Sequence, residues 1–243
     1  ISANEFYSRL LETKVIPSTS APTIGETMAY IDQMIVDGYT DVIMYSISFK
    51  LSSIGTMVEN LQEEYGDKIK IHVVDTKTSV YAQAYMALTA YEMAEAGKSV
   101  DEILAYSDYL IKNHKIFFVV DDLMYLVKNG RLSGVSGILG SLLQIKPILE
   151  INNDGYIVPK EKERTHRRAM EKVHSLVSEA IKGKEDVILT IYHTCREDDA
   201  KKLAELYKNE FPNIKEINIA MVSPAVGAHI GCNVLGIGYF ILK

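Results

Sequence analysis

The chain has 243 residues, of which 47% are apolar and 24% charged, a composition typical of a globular protein with a packed core. Its 32 acidic and 26 basic side chains leave a net charge of −6. This charge argues against a general nucleic-acid-binding protein, because phosphate backbones require a basic face. No apolar run reaches the roughly 20 residues of a membrane helix, so integral membrane insertion is not expected. Two cysteines without metal-ligand spacing fit a reducing cytoplasm, and we expect a cytoplasmic protein without a bound metal.

The first part of the chain alternates helix and strand patterns. Three capping boxes, in which a Ser or Thr and a Glu three residues later satisfy exposed amides, predict helix starts after Ser2, Thr23 and Ser99. Short apolar runs rich in Val and Ile predict buried strands. In chain order, the predicted elements are helix 3–12, helix 24–37, strand 41–47, helix 54–65, strand 69–74, helix 80–96 and helix 100–113. This succession implies a parallel sheet with helices on its faces.

The pattern changes after Lys115. The predicted elements are strand 116–120, helix 122–128, helix 134–143, strands 145–151 and 156–159, helix 165–181, strand 187–193, helix 198–209, and strands 214–222 and 235–242. An Asn-Asn-Asp-Gly turn at 152–155 predicts an antiparallel hairpin. We therefore predict an α/β domain with a parallel sheet, residues 1–115, and an α+β domain with a mostly antiparallel sheet, residues 116–243.

Two turns that precede predicted helices are rich in hydroxyl groups. They contain the side chains Ser18, Thr19 and Ser20 in one turn and Ser48, Ser52 and Ser53 in the other. Hydroxyl donors beside helix N-termini suit a small anion such as a carboxylate. Helix capping is the other explanation of these residues, and the spacing alone favours it.

His229 and Arg131 are the remaining candidates for a polar site. His229 lies between small residues in Val-Gly-Ala-His-Ile-Gly (226–231), which permit close approach to a ligand, although a lone His is more often structural. Arg131 follows a glycine and could face either a charged ligand or an acidic neighbour. Phosphate-loop and dinucleotide-binding glycine motifs are absent from the sequence, so no nucleotide cofactor is expected.

Several of these segments, in their order and spacing, resemble the DegV family of fatty-acid-binding proteins, which includes the FakB subunits of bacterial fatty acid kinase. The resemblance spans the chain and is carried by Pro-Ser-Thr-Ser-Ala-Pro (17–22), Leu-Ser-Ser (51–53), Tyr-Leu-Val-Lys-Asn-Gly-Arg-Leu-Ser (125–133), Ile-Lys-Pro-Ile-Leu (145–149), Arg-Thr (164–165) and Val-Gly-Ala-His-Ile-Gly (226–231). It implies a two-domain protein that holds a long-chain fatty acid in an apolar tunnel between the domains. A separate fatty acid kinase catalytic subunit would then phosphorylate the presented carboxylate.

The resemblance also implies roles for particular residues. Four side chains correspond to carboxylate-binding positions, and two arginines correspond to positions that face the head group or the kinase: Thr19, Ser20, Ser52 and His229, and Arg131 and Arg164. Four apolar side chains are candidate tunnel walls: Ile138, Leu139, Leu142 and Leu143. Family members begin with a strand and an Asp-Ser-Thr turn that this sequence lacks, so we expect the first domain to lack its N-terminal strand.

The sequence departs from the family pattern around the expected head group. The departures are Ala21 for Gln, Ser53-Ile54 for Gly-Thr, Asn129 for Gly, Ala228 and Ile230 for Thr, and Cys232 for Pro. A fatty-acid-binding protein that is not catalytic alone is the first hypothesis. The alternative is an acyl- or phosphoryl-transfer enzyme with Ser52 as nucleophile and His229 as base, which needs a third orienting group. A third hypothesis is a structural or regulatory interaction domain.

Overall fold

The computed structural model describes residues 1–13, 15–134 and 145–243. Contacts divide the chain into two units. The two-stranded unit comprises Ser20–Ile111, and the six-stranded unit comprises Ile1–Thr19 together with Lys112–Lys243. The predicted helix 134–143, with the candidate tunnel walls Ile138, Leu139, Leu142 and Leu143, lies outside the described residues.

The predicted elements and their order agree closely with the helices and strands of the described chain. These are α1 (Ala3–Thr13), α2 (Ile24–Val36), β1 (Asp41–Ser46), α3 (Ile54–Glu59), α4 (Gln62–Tyr65), β2 (Lys70–Asp75), α5 (Val80–Glu95), α6 (Val100–Lys112), β3 (His114–Val119), α7 (Met124–Lys128), β4 (Lys146–Ile151), β5 (Ile157–Glu163), α8 (His166–Ile181), β6 (Val187–His193), α9 (Glu197–Glu210), β7 (Ile214–Met221), α10 (Pro224–Ile230) and β8 (Leu235–Ile241). None of the described helices combines the length and the apolar character needed to cross a membrane.

The two-stranded unit is built on a parallel pair. Strands β1 and β2 run in register from Asp41 opposite Lys70 to Ser46 opposite Asp75, which confirms the predicted parallel sheet. Capping boxes begin its helices as predicted: in α2 the side chains of Thr23 and Glu26 bond each other's backbone amides. A cluster of buried apolar side chains in this unit is made of Ile31, Val58, Leu61, Tyr65, Ile69 and Ile71. The predicted helix 54–65 is two helices, because α3 ends at Asn60 and the chain turns before α4.

The six-stranded unit has the strand order β5-β4-β3-β8-β6-β7. Every neighbouring pair is antiparallel except β6 and β7, which confirms the predicted mostly antiparallel sheet. The predicted hairpin is present, and its turn is fixed by Asn152, whose side-chain oxygen accepts the amides of Asp154 and Tyr156. All seven residues of β6 are buried, as expected for a strand that has neighbours on both sides and helices packed against it.

Helix α1 packs within the six-stranded unit. The Tyr7 hydroxyl donates to the Val222 carbonyl at 2.8 Å. Gly227 of α10 lies so close to the Tyr7 ring that a Cβ there would be 2.3 Å from the Tyr7 oxygen. The sequence-based division into residues 1–115 and 116–243 groups α1 with the other unit, whereas these contacts group it with Lys112–Lys243. Such long-range packing leaves no local pattern in the sequence.

Candidate functional site

A threonine and a histidine from distant parts of the chain meet in the six-stranded unit. Thr19 lies in the extended segment after α1, and His229 lies near the end of α10. The Thr19 Oγ1 and His229 Nε2 atoms are 2.7 Å apart, a hydrogen-bonding distance. Thr19 is exposed and His229 is half-buried. The hydroxyl is therefore accessible to a ligand while it is hydrogen-bonded to a partly buried imidazole.

Two effects lower the pKa of His229, and both favour the neutral imidazole. Burial lowers the pKa of His229, and the positive charge of Arg131 lowers it further. The Nδ1 atom is buried and has no hydrogen-bond partner within the described part of the chain. If the imidazole proton lies on Nε2, that nitrogen donates to Thr19, and the threonine proton remains available for a ligand. The pair can therefore offer one hydroxyl donor to an anion.

A short helix that sequence reasoning did not predict carries His229. Ser223 precedes Pro224, which occupies the first turn of α10, and Gly231 ends the helix with φ of +78°. Proline at a helix start and a left-handed glycine after its end form a recognisable pair of boundaries. This signal was present in the sequence, but the helix has only seven residues and too little periodicity to stand out.

Arg131 reaches the same region through the turn that ends α7. Gly130 adopts φ of +68°, and the Arg131 amide then bonds the Leu126 carbonyl at 2.9 Å. This is the geometry of a helix end that only glycine adopts without strain. The Arg131 guanidinium donates to the Asn129 carbonyl. Its positive charge contributes to the lowered pKa of His229.

Asn129 is a site residue that sequence analysis noted only as a departure from the family pattern. Its side-chain nitrogen lies 3.3 Å from the Pro17 carbonyl, 3.0 Å from the Tyr125 carbonyl and 3.2 Å from the Ala228 carbonyl. Pro17 precedes Thr19 by two residues, and Ala228 is adjacent to His229. An asparagine at the end of a short helix is an ordinary cap in sequence terms, so its long-range contacts could not be foreseen.

Arg164 does not join this cluster. It is exposed between β5 and α8, and it forms no hydrogen bond or ion pair with another described residue. The next residue, Thr165, caps α8 by accepting the Arg168 amide at 3.3 Å. The head-group or kinase-facing role that the resemblance implies for Arg164 stays a prediction.

The other two predicted carboxylate ligands belong to the two-stranded unit. Ser52 is half-buried at the carboxyl end of β1, where its side-chain oxygen accepts the Ile54 amide at 3.3 Å. The neighbouring loop is held by Asp75, whose carboxylate accepts the amides of Phe49 and Lys77. Ser20 is exposed before α2. Ser52 thus makes a local side-chain bond in the turn before α3, whose N-cap is Ser53, while its hydroxyl proton is still able to donate.

No group of three or more His, Cys, Asp or Glu side chains in the described ranges is arranged to hold a metal ion. The Thr19–His229 pair, with Arg131 beside it, can instead bind a small anion through a hydroxyl donor and a nearby positive charge.

Comparisons with known proteins find a matching family model, similar sequences and similar structures. A family model described as uncharacterised protein, DegV family, matches residues 1–242. A DegV domain-containing protein from Staphylococcus aureus is 31% identical over 240 residues, which cover 98% of this chain and 82% of that protein. A fatty acid binding DegV family protein from Streptococcus agalactiae has a similar structure, with a TM-score of 0.91, 29% identity, and coverage of 100% of this chain and 85% of that one. DegV from Bacillus subtilis, described as a fatty acid binding protein, matches with a TM-score of 0.88, 30% identity, and coverage of 98% and 83%.

Proposed function

The chain belongs to the DegV family, and on that premise we propose that it binds a long-chain fatty acid whose carboxylate is held at Thr19 and His229. The observation that carries this proposal is the 2.7 Å contact between Thr19 Oγ1 and His229 Nε2. The comparisons also support the proposal, because the similar proteins from Streptococcus agalactiae and Bacillus subtilis are described as fatty acid binding.

The polar pair and Arg131 supply the recognition of the head group. Nε2 donates to the Thr19 oxygen, and the Thr19 proton is donated to a carboxylate oxygen. A hydrogen bond to a charged group contributes about 1.5–3 kcal/mol. The protein carries a net charge of −6, so attraction for an anion has to be local. Arg131, whose charge already acts on His229, provides that attraction.

The acyl chain provides most of the affinity. Burial contributes about 0.8 kcal/mol per methylene, so a dozen methylenes give roughly 10 kcal/mol before the cost of ordering the ligand. The apolar tunnel between domains that would hold the chain, and further head-group contacts from Ser20 and Ser52, stay predictions. Presentation of the carboxylate to a separate kinase also stays a prediction. The lack of a phosphate-loop motif in the sequence favours it.

The enzyme alternative receives less support from the same contacts. A catalytic histidine needs a third group that orients its ring, usually an acceptor for one ring nitrogen. The Nδ1 atom of His229 has no such acceptor among the residues that the structure describes. Its Nε2 atom is paired with Thr19 rather than with a serine nucleophile.

Binding of an acid and of the matching alcohol tests the proposal. Lipid extraction of the purified protein followed by mass spectrometry should return a long-chain fatty acid. Thr19→Val should lower affinity for the fatty acid about tenfold, the equivalent of one 1.4 kcal/mol contact, and should leave affinity for a fatty alcohol of equal length nearly unchanged. Affinity can be measured by displacement of a fluorescent fatty acid.

Thr13→Val is a matched control, since Thr13 is also exposed in the six-stranded unit and its hydroxyl bonds local backbone groups, the Arg9 carbonyl and the Val15 amide. It should leave the affinity for the acid unchanged. The proposal fails if the wild-type protein binds no fatty acid. The role of Thr19 fails if Thr19→Val weakens the acid and the alcohol equally.

A further inference from the structure

One carboxamide joins the two backbone segments that bring Thr19 and His229 together. The Asn129 side-chain nitrogen lies 3.3 Å from the Pro17 carbonyl, on the segment of Thr19, and 3.2 Å from the Ala228 carbonyl, beside His229. It is anchored by a third contact, at 3.0 Å, to the Tyr125 carbonyl of its own helix. Asn129 is half-buried, so these bonds are partly shielded from water.

We infer that Asn129 is a positioning residue for the fatty-acid head group, which holds the segment of Thr19 and the helix of His229 at the spacing that carboxylate binding requires. This inference rests on the proposed function. Asn129 does not itself have to touch the ligand, because the two N–H donors of its side chain are already shared among three carbonyl groups of the protein.

The chemistry of the three partners fixes the orientation of the amide. All of them are carbonyl oxygens, which only accept hydrogen bonds, so the NH₂ end of Asn129 must face them. Leucine has the same branched outline as asparagine but carries neither a donor nor a charge. Substitution by Leu therefore removes the link without adding a negative charge that would itself repel a carboxylate, which distinguishes donation by Asn129 from its packing.

Asn129 also connects the cation to the pair. Its own carbonyl accepts a hydrogen bond from the Arg131 guanidinium, and the charge of Arg131 acts on His229. One residue thus contacts the three elements that supply the threonine hydroxyl, the imidazole and the positive charge. Loss of its side chain should loosen the first two together and leave the Arg131 contact, which uses the backbone.

Asn213 offers a matched control in the same unit. Its side-chain nitrogen also donates to two carbonyls of a neighbouring segment, those of Ile181 at 3.1 Å and Lys184 at 2.8 Å. None of these residues belongs to the Thr19–His229 site. Asn129→Ala and Asn213→Ala therefore remove the same kind of cross-link, one at the site and one away from it.

The first measurement compares affinities for a fatty acid and for a fatty alcohol of equal length. Asn129→Ala and Asn129→Leu should each weaken the acid about five- to tenfold, the effect of losing roughly one net hydrogen bond, and should change the alcohol less than about twofold. Asn213→Ala should alter neither affinity. Circular dichroism at the assay temperature confirms that each variant is folded. Equal loss for the acid and the alcohol in Asn129→Ala would overturn the inference.

The second measurement needs no ligand and keeps this inference separable from the proposed function. NMR titration of the His229 ring in the ligand-free protein should show a changed midpoint in Asn129→Ala, because the helix shifts and the burial of the ring changes. Asn213→Ala should give the wild-type midpoint. A wild-type midpoint in Asn129→Ala would overturn the positioning role. If instead the midpoint moves but the wild-type protein binds no fatty acid, the proposed function fails and Asn129 still positions the pair.

Discussion

The two units differ in how far along the sequence the hydroxyl groups predicted to bind a carboxylate make their hydrogen bonds. In the six-stranded unit, the hydrogen bond between Thr19 and His229 joins residues 210 positions apart. In the two-stranded unit, Ser52 bonds an amide only two positions away. The strands of the two units also differ in burial: β6 is buried along its whole length, whereas Ser46 is the only buried residue of β1. The long-range polar pair therefore belongs to the unit that contains a strand buried along its whole length.

The largest expected effect tests whether the cores of the two units differ in how completely their apolar side chains are buried. Ile237 of β8 has no exposed surface, and Ile71 of β2 is 7% exposed. We expect Ile237→Ala to lower the free energy of unfolding by about 4–5 kcal/mol and Ile71→Ala by about 2–3 kcal/mol, because a rigid, sealed core relaxes less around a cavity. Urea unfolding followed by circular dichroism measures both. Equal losses would contradict the difference between the scaffolds.

A smaller effect distinguishes two helical glycines, one from each unit. A Cβ at Gly227 of α10 would lie 2.3 Å from the oxygen of Tyr7, whereas a Cβ at Gly25 of α2 would meet no atom within 4 Å. Gly227→Ala should destabilise the protein by about 1–3 kcal/mol through overpacking. Gly25→Ala should stabilise it by about 0.5–1 kcal/mol through reduced backbone entropy of the unfolded chain.

Thermal unfolding measures both effects. Gly227→Ala should lower Tm, and Gly25→Ala should raise it. Gly227→Ala should also weaken fatty acid binding, because its helix carries His229. A stabilising Gly227→Ala would show that α10 can move away from Tyr7 at little cost, and would contradict the tight packing of α1 in this unit.

Sequence patterns predicted the elements well because most of their causes are local. The capping box at Thr23 and Glu26 and the hairpin turn at Asn152 each act over a few residues, and both are present in the structure. The grouping of α1 with the six-stranded unit depends on the contacts of Tyr7 with Val222 and Gly227, which no local pattern encodes.

The residues of the candidate site could be predicted from the family resemblance but not from local spacing alone. Spacing alone favoured capping for the hydroxyl turns, but the N-cap of α3 is Ser53, whose side chain makes no cap bond, and Ser52 bonds the Ile54 amide in the preceding turn. The resemblance named Thr19 and His229, which the structure brings to hydrogen-bonding distance. Neither approach identified Asn129, because its role depends on where Pro17 and Ala228 lie in three dimensions.

The smallest expected effect is a pH dependence of the affinity for the fatty acid. His229 of the six-stranded unit should cause it, and Ser52 of the two-stranded unit should not. In the free protein, burial and Arg131 lower the pKa of His229 below its ordinary value of about 6.5. A bound carboxylate favours the protonated imidazole and raises that pKa. The complex therefore binds more protons than the free protein between the two pKa values. Affinity should rise as pH falls through this interval and level off below the pKa of the free protein.

The size of the rise is limited by the difference between the two pKa values, since one unit corresponds to tenfold in affinity. Fatty acid affinity measured between about pH 8 and about pH 5 should therefore increase by about three- to tenfold. His229→Gln keeps a neutral donor near the Nε2 position but does not titrate, so its affinity should be flat over this range. Ser52→Ala should retain the wild-type slope, because serine does not titrate there. A slope that persists in His229→Gln would assign the proton to another group and remove His229 from the carboxylate site.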